Sequence, residues 1–232
     1  LFREFLAWIV EADKLFVIIG NMNAITYKEV FPLIKNDMMW LGNGFHAGNA
    51  YFSTPTIKEY ADGVYNSETG LVKFRNCCWF TNLDHGRRHQ PLPLMTMHDN
   101  IKYSKHKELK GKEYQKYDNY DAIEVPFTDA IPSDYHGVMG VPISFLDKYC
   151  PEQFEILGIT KTWFGMASKI YPEQIQVSKT GEKTVVTKLN DGATILIDSS
   201  EVNGTSYIVG NNRYIQVYAR VLVRHKHLNK AD

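Results

Sequence analysis

The stretch "RYIQVYARVLVR", residues 213–224, carries an apolar residue at every second position: Ile215, Val217, Ala219, Val221 and Val223. Successive side chains of a β-strand point to opposite faces, so a period of two marks a strand with one face in a core and one in water. Tyr214, Gln216, Tyr218, Arg220 and Arg224 fall on the outer face. The C-terminal part must therefore build a sheet, and the segments before it agree. "EKTVVTKL", "ATILID" and "SYIVG" are strand-like, and "GNN" is a hairpin turn leading into the last strand.

The N-terminal part has a different rhythm. Leu1, Phe2, Phe5, Leu6, Ile9 and Val10 recur at helical spacing with no capping residue ahead of them, so a preceding segment is expected. "KLFVIIG" reads as a fully buried strand. A turn at Asn21, Met22 and Asn23 follows, then a second amphipathic helix from about Ile25 to Ile34, then a short strand in "MMWLG". Strand, helix and strand with short connections predict an α/β sheet, which "CCWFTNL" completes. Residues 1–83 are thus expected to be half of a doubly wound domain. "GNGFHAGNAYF" is a glycine-rich loop with aromatics, and residues 53–72 read as a polar excursion.

Residues 84–232 are expected to form a second region, irregular at first and then β-rich. The 232 residues have a formal net charge of zero, but the charge is segregated. Between His85 and Tyr117 stand eight Lys or Arg against three Asp or Glu. A local basic field on a neutral chain suits docking to a polyanion. No apolar run approaches the roughly 20 residues that cross a bilayer, and no cationic leader precedes one, so the chain is read as cytoplasmic with no membrane partner. Three cysteines, two of them adjacent, fit a reducing compartment better than a disulfide framework. "YCPEQFEI" and "YPEQIQV" share a Pro-Glu-Gln core, read as strand-entry chemistry and not as a repeat architecture.

Several clusters carry possible chemistry. His85 and His89 have a spacing that would suit zinc on a helix, but Gly86 and the preceding strand argue against a helix. Cys77 and Cys78 point to opposite faces of a strand and cannot jointly complete a site. Arg87 and Arg88 leave two readings: a solvated turn, or phosphate contact through arginine's planar fork. Asp99, Glu108 and Lys110 match the loose pattern of a magnesium-dependent nuclease, in a context without strands, so no metal site is assigned. Lys102, Lys105, Lys107, Lys110 and Lys112, interleaved with tyrosines, read as a solvated face or as a nucleic-acid backbone contact. Asn21 and Asn23 stand at a strand's carboxyl end, where α/β sheets bind ligands. Phe45 and Phe52, in the loop after the next strand, could stack on a planar ligand.

Taken in order, "LFREF", "FVIIGNMNAITYKEVFPLIK", "WLGNG", "WFTNLD", "LPL", "KYDNYDAIEV", "IPSDYHGVMGVPISFLDKYCPEQFEI" and "YARVLVR" resemble the EcoRI-type adenine-specific DNA methyltransferases. The likeness runs from Leu1 to about Gly158 and returns at the last strand; residues 160–212 match less well. The resemblance implies methyl transfer from S-adenosylmethionine to the exocyclic amino group of an adenine taken out of double-stranded DNA. It implies a partial methyltransferase sheet followed by a target-recognition region, and a companion restriction endonuclease as a separate protein. It also implies a flipped-base pocket at Asn21, Asn23, Phe45 and Phe52, and DNA-backbone contacts at Arg87, Arg88 and the lysines. The family's Asn/Asp-Pro-Pro-aromatic motif does not occur here. The catalytic residues and most of the cofactor pocket are therefore expected before Leu1, and the chain alone is expected to be inactive. The alternative is a stand-alone DNA-binding or nuclease-type recognition module.

Overall fold

The computed structural model describes residues 2–42, 49–55, 59–171, 173–186, 192–197 and 204–226. The chain divides into two compact units, Leu1–Arg88 and His89–Asp232.

In the first unit, helix α1 spans Phe2–Glu11 and turns Leu6 inward. Strand β1 (Val17–Asn21) leads into a 3-10 helix, Met22–Thr26, and helix α2 covers only Phe31–Lys35. The single helix expected over 25–34 is thus broken in two. Pro32 sits at the start of α2, where its missing N–H costs nothing, and so marks where helix can begin. The strands that follow are β2 (Trp40–Leu41), β3 (Ala50–Ser53), β4 (Tyr65–Asn66), β5 (Leu71–Phe74) and β6 (Cys77–Thr81).

β6 lies between β1 and β2 and is antiparallel to both, so β1 and β2 run parallel to each other, joined through the 3-10 helix and α2. This is a mixed sheet. A doubly wound sheet needs further parallel strands, which the described residues of this unit do not supply. Cys78, Phe80 and Leu41 are buried on its inner face, and Ile25, Phe31, Ile34 and Met39 complete the interior. On the other face Val17 is 54% and Ile19 37% exposed, which corrects the reading of "KLFVIIG" as buried on both sides. The "WFTNLD" segment ties the end of the central strand β6 to the chain entering β1. Thr81 Oγ1 donates to the Phe16 carbonyl (2.7 Å), Asn82 Oδ1 accepts from Phe16 N (2.9 Å) and Asn82 Nδ2 donates to the Lys14 carbonyl (3.0 Å). The supposed polar excursion contributes a small antiparallel sheet, in the order β3-β5-β4.

The second unit contains α3 (Met97–Tyr103), β7 (Ile123–Glu124), β8 (Met139–Pro142), β9 (Phe154–Ile159), β10 (Gln174–Val177), β11 (Lys183–Val186), β12 (Thr194–Ile197), β13 (Ser206–Val209), β14 (Asn212–Gln216) and β15 (Arg220–His225). They form a four-stranded sheet, β7-β8-β15-β9, and a five-stranded sheet, β11-β10-β13-β14-β12. The single last strand read from the alternation is in fact two strands in two sheets. β14 pairs with β12 and β13, β15 pairs with β8 and β9, and the chain changes sheet at Val217 to Ala219. Val221, Leu222 and Val223 are all buried, so β15 has both faces covered and loses its polar side.

"KYDNYDA" fastens the two sheets. Asn119, 1% exposed, donates through Nδ2 to the Gly192 carbonyl (3.0 Å) and accepts Thr194 N at Oδ1 (2.8 Å), while Asp118 N donates to the Thr194 carbonyl (2.8 Å). Tyr117, Tyr120 and Ala122 enter one core with Ala193, Ile195 and Leu222. These residues of the family likeness act here as scaffold. No helix among the described residues is long and apolar enough to cross a membrane.

Candidate nucleic-acid interface

The run "DHGRRH" does form a helical turn, a 3-10 helix over Gly86–His89, and the two arginines part company on it. Arg88 is buried: its guanidinium pairs with Asp37, lies 3.7 Å from Asp84 Oδ1 and sits 4.1 Å from the centroid of Trp40. Asp37 itself is left-handed, with φ at 59°, just past the C-terminus of α2. Arg88 therefore fastens α2, β2 and the end of β6 together, and a side chain held this way is not presented to a phosphate. The expectation of a backbone contact is corrected for Arg88. Arg87, half-buried, lines an open groove of about 460 Å³ with Val17, Gly42, Trp79, Thr81, Leu83, Asp84 and His85. Gly42 keeps that groove open over Trp79, since an added Cβ would come within 2.9 Å of the tryptophan Cβ.

The histidines are committed to structure. His85 Nε2 meets the Leu41 carbonyl at 3.0 Å, so that nitrogen carries the hydrogen. His89 Nδ1 lies 2.7 Å from Glu152 Oε1. Glu152 also accepts from the Cys150 thiol at 3.1 Å; that thiol and the His89 ring hold its carboxyl down to about 2. Among the described residues no three His, Cys, Asp or Glu side chains gather as a metal ion would require. Asp99 and Glu108 stand on a helix and a turn, not on paired strands, which removes the geometry of a nuclease metal site.

The lysine segment, expected to be irregular, is a folded knuckle. α3 starts at Thr96, whose hydroxyl oxygen accepts from Asp99 N (3.1 Å) and donates to Asp99 Oδ2 (2.8 Å). Asn100, 1% exposed, anchors the inner side through Nδ2 to the Ala130 carbonyl (3.3 Å). Beyond the helix the chain turns back at Gly111, at φ of 74°, where Gly111 N donates to the Ile101 carbonyl (2.8 Å). Leu109 is buried beneath the turn. His106 stacks on Phe127 with ring centroids 3.7 Å apart, and Asp129 takes both His106 Nε2 (2.9 Å) and Lys105 Nζ (2.7 Å). Burial opposes the charged form of Asp129, but Lys105 and His106 outweigh it and keep its carboxyl below the usual range. Tyr114 closes the base by donating to the Ala130 carbonyl (2.6 Å).

Lys102, Lys105, Lys107, Lys110 and Lys112 are all exposed on this knuckle, Lys105 with its charge shared by Asp129. Sequence reasoning missed α3, although Thr96 and Asp99 have the spacing of a cap. The short helix lacks the apolar stripe that periodicity detects, because a buried asparagine holds it down.

The expected base-pocket residues are only partly brought together. Asn21 Oδ1 accepts from Asn23 N (2.9 Å) and so caps its own turn. Phe52 projects from β3 and meets Phe74 edge to face at 5.6 Å. Phe45 lies outside the described residues. The turn after β1 does not fit S-adenosylmethionine. Asn21 to Thr26 include neither a glycine to approach the ligand nor a carboxylate to take a ribose, and Ala24 and Ile25 are buried.

Comparison with known proteins adds the missing context. The chain is 46% identical over 164 residues to the type II methyltransferase M.EcoRI of Escherichia coli, a match covering 69% of this chain and 48% of that protein. It is 32% identical over 161 residues to M.MpnI of Mycoplasma pneumoniae and 32% over 166 residues to M.MgeORF184P of Mycoplasma genitalium, each match covering 68% of this chain and 48% of the relative. The chain thus spans about half the length of the relatives it matches. No solved structure matches it. The family described as adenine-specific methyltransferase EcoRI matches residues 1–226, nearly the whole chain, and the protein belongs to that family.

Proposed function

We propose that this chain is the DNA-recognising part of a site-specific adenine methyltransferase, which moves a methyl group from S-adenosylmethionine to an adenine amino group. The observation that carries this reading is the family match over residues 1–226. The knuckle supports the DNA-facing role, because a folded base holds its lysines outward. Residues 1–83 contribute one flank of a larger, doubly wound sheet, and residues 84–232 contribute target recognition. Asn21, Asn23, Phe45 and Phe52 remain candidates for the rear of the pocket that takes the extruded adenine. A companion restriction endonuclease would cut the same sequence as a separate protein.

Two measurements on the 232-residue chain test the assignment. Retention of duplex DNA should be clear at low salt and fall linearly on a plot of log affinity against log salt. Titration calorimetry with S-adenosylmethionine should give no stoichiometric heat. No retention at low salt would reject the DNA-facing role, and micromolar cofactor binding would put the cofactor pocket within these residues.

A further inference from the structure

We propose that α3 reads base edges in the DNA major groove, with Lys102 as its guanine contact and His98 and Tyr103 as its flanking contacts. This rests on the DNA-facing reading of the knuckle and goes beyond it, because a backbone contact carries no sequence information whereas a base contact does.

The orientation of α3 is fixed from below. At 100° per residue, His98 and Lys102 each lie about 200° around the helix from Asn100, that is, on nearly the opposite side. Asn100 is 1% exposed, and three further bonds hold the frame. Asp134 accepts Met97 N (2.7 Å), Ser133 N donates to the Met95 carbonyl (2.8 Å), and Gly111 N donates to the Ile101 carbonyl (2.8 Å). With its inner side held, α3 directs His98 and Lys102 outward, one turn apart on one flank. A helix held so that one flank projects is what the roughly 12 Å wide major groove admits.

The chemistry of that flank differs from that of the turn below it. Lys107, Lys110 and Lys112 are charges on a turn, suited to phosphates. Beside that flank a cation and an aromatic ring are paired: Lys102 Nζ lies 5.0 Å from the ring centroid of Tyr103, a residue 61% exposed and a further 100° around the helix. A bare phosphate contact gives no reason for a large aromatic side chain in water; a thymine methyl or a base edge does. The lysine ammonium suits guanine O6 and N7, and an imidazole can donate or accept. Asp99, which would repel DNA from the same helix, is turned back onto the Thr96 hydroxyl (2.8 Å).

The test is selection of duplexes with a randomised ten-base-pair core by the 232-residue chain, followed by sequencing. The chain should enrich one motif. Lys102→Ala should relax preference for guanine at one position by roughly tenfold or more, and His98→Ala should relax a neighbouring position. Both residues are exposed, so thermal melts should be unchanged. Lys107→Ala with Lys110→Ala should weaken retention of every sequence and leave the motif intact. An unchanged motif in the Lys102 and His98 variants would overturn base reading by α3. So would a chain that retains DNA without enriching any motif, with backbone binding left standing. A chain that retains no duplex would end the DNA-facing reading and this proposal together.

Discussion

Arg220 and Glu124, 96 residues apart in sequence, meet in a buried fork: Nη2 to Oε1 is 2.6 Å, and Nε lies 3.1 and 3.2 Å from the two carboxylate oxygens. The Tyr117 hydroxyl donates to the same carboxylate. Burial, and then the charge of Glu124, push the Tyr117 phenol well above its ordinary range, so it stays a donor. The cluster joins β7 to β15, and an added Cβ at Gly140 would run into the Tyr117 ring. Removing one charge would leave the other buried and unpaired. Glu124→Ala should therefore destabilise the chain by about 3–5 kcal/mol in urea denaturation, whereas replacing Glu124 and Arg220 together by methionine should cost much less. Equal losses from the single and double variants would refute this account.

The two neighbouring arginines should separate cleanly. Arg88→Ala removes a buried charge from Asp37 and the face of Trp40, and should lower stability by about 1–3 kcal/mol. Arg87→Ala should cost less stability than Arg88→Ala and lower the salt slope of DNA binding by about one. The reverse assignment, with Arg88 the DNA contact, predicts a reduced slope for Arg88→Ala at unchanged stability.

His225 gives the fold a pH dependence. Its Nε2 donates to the Pro132 carbonyl (2.8 Å) and its ring lies 4.8 Å from Phe154. Burial lowers its pKa, aided by His136, and the Pro132 carbonyl and Asp134 only partly oppose that. Below about pH 6.5 the unfolded chain takes up a proton that the folded chain resists, so stability falls as the pH drops from there toward the folded pKa. His225→Gln keeps a donor for Pro132 and should flatten this part of the stability profile in denaturant melts between about pH 5 and 7. An unaltered profile would assign the dependence to other groups.

What could be read from the sequence depended on whether a segment's partners were local. The strands "KLFVIIG", "MMWLG" and "CCWFTNL" are legible as short apolar runs, although the run in the first overstates its burial. That β6 would enter between β1 and β2, antiparallel to both, was not, since pairing order leaves no mark on a single strand. The alternation over 213–224 did not assign the faces, since Tyr214, expected outward, is buried, and a period of two continues unbroken where a chain passes from one sheet to another. At the site, the lysines were visible as charge and the knuckle was not. Its frame consists of a buried asparagine, a histidine stacked on phenylalanine and a glycine turn, each closed by residues distant in sequence. Arg88 looks like its neighbour in the sequence, and the partners that bury it, Asp37 and Trp40, stand about fifty positions earlier.

The knuckle also predicts that shape and charge contribute separately to DNA binding. Changing Lys107, Lys110 and Lys112 together to alanine removes three exposed charges and should lower the salt slope by about 0.9 for each one that touches a phosphate. Stability should hold, because none of the three is buried. Leu109→Ala leaves every charge in place but empties the buried position beneath the turn, and should cost about 2–5 kcal/mol. If the lysines act only as a diffuse field, DNA binding by a still-folded Leu109→Ala chain should match that of the parent. If the turn must hold them at set positions, binding should weaken at constant net charge, and the salt slope should fall with it. Salt-dependent binding below the melting temperature of each variant distinguishes the two, and the bonds that close the knuckle from Ile101 to Gly111 lead us to expect the second.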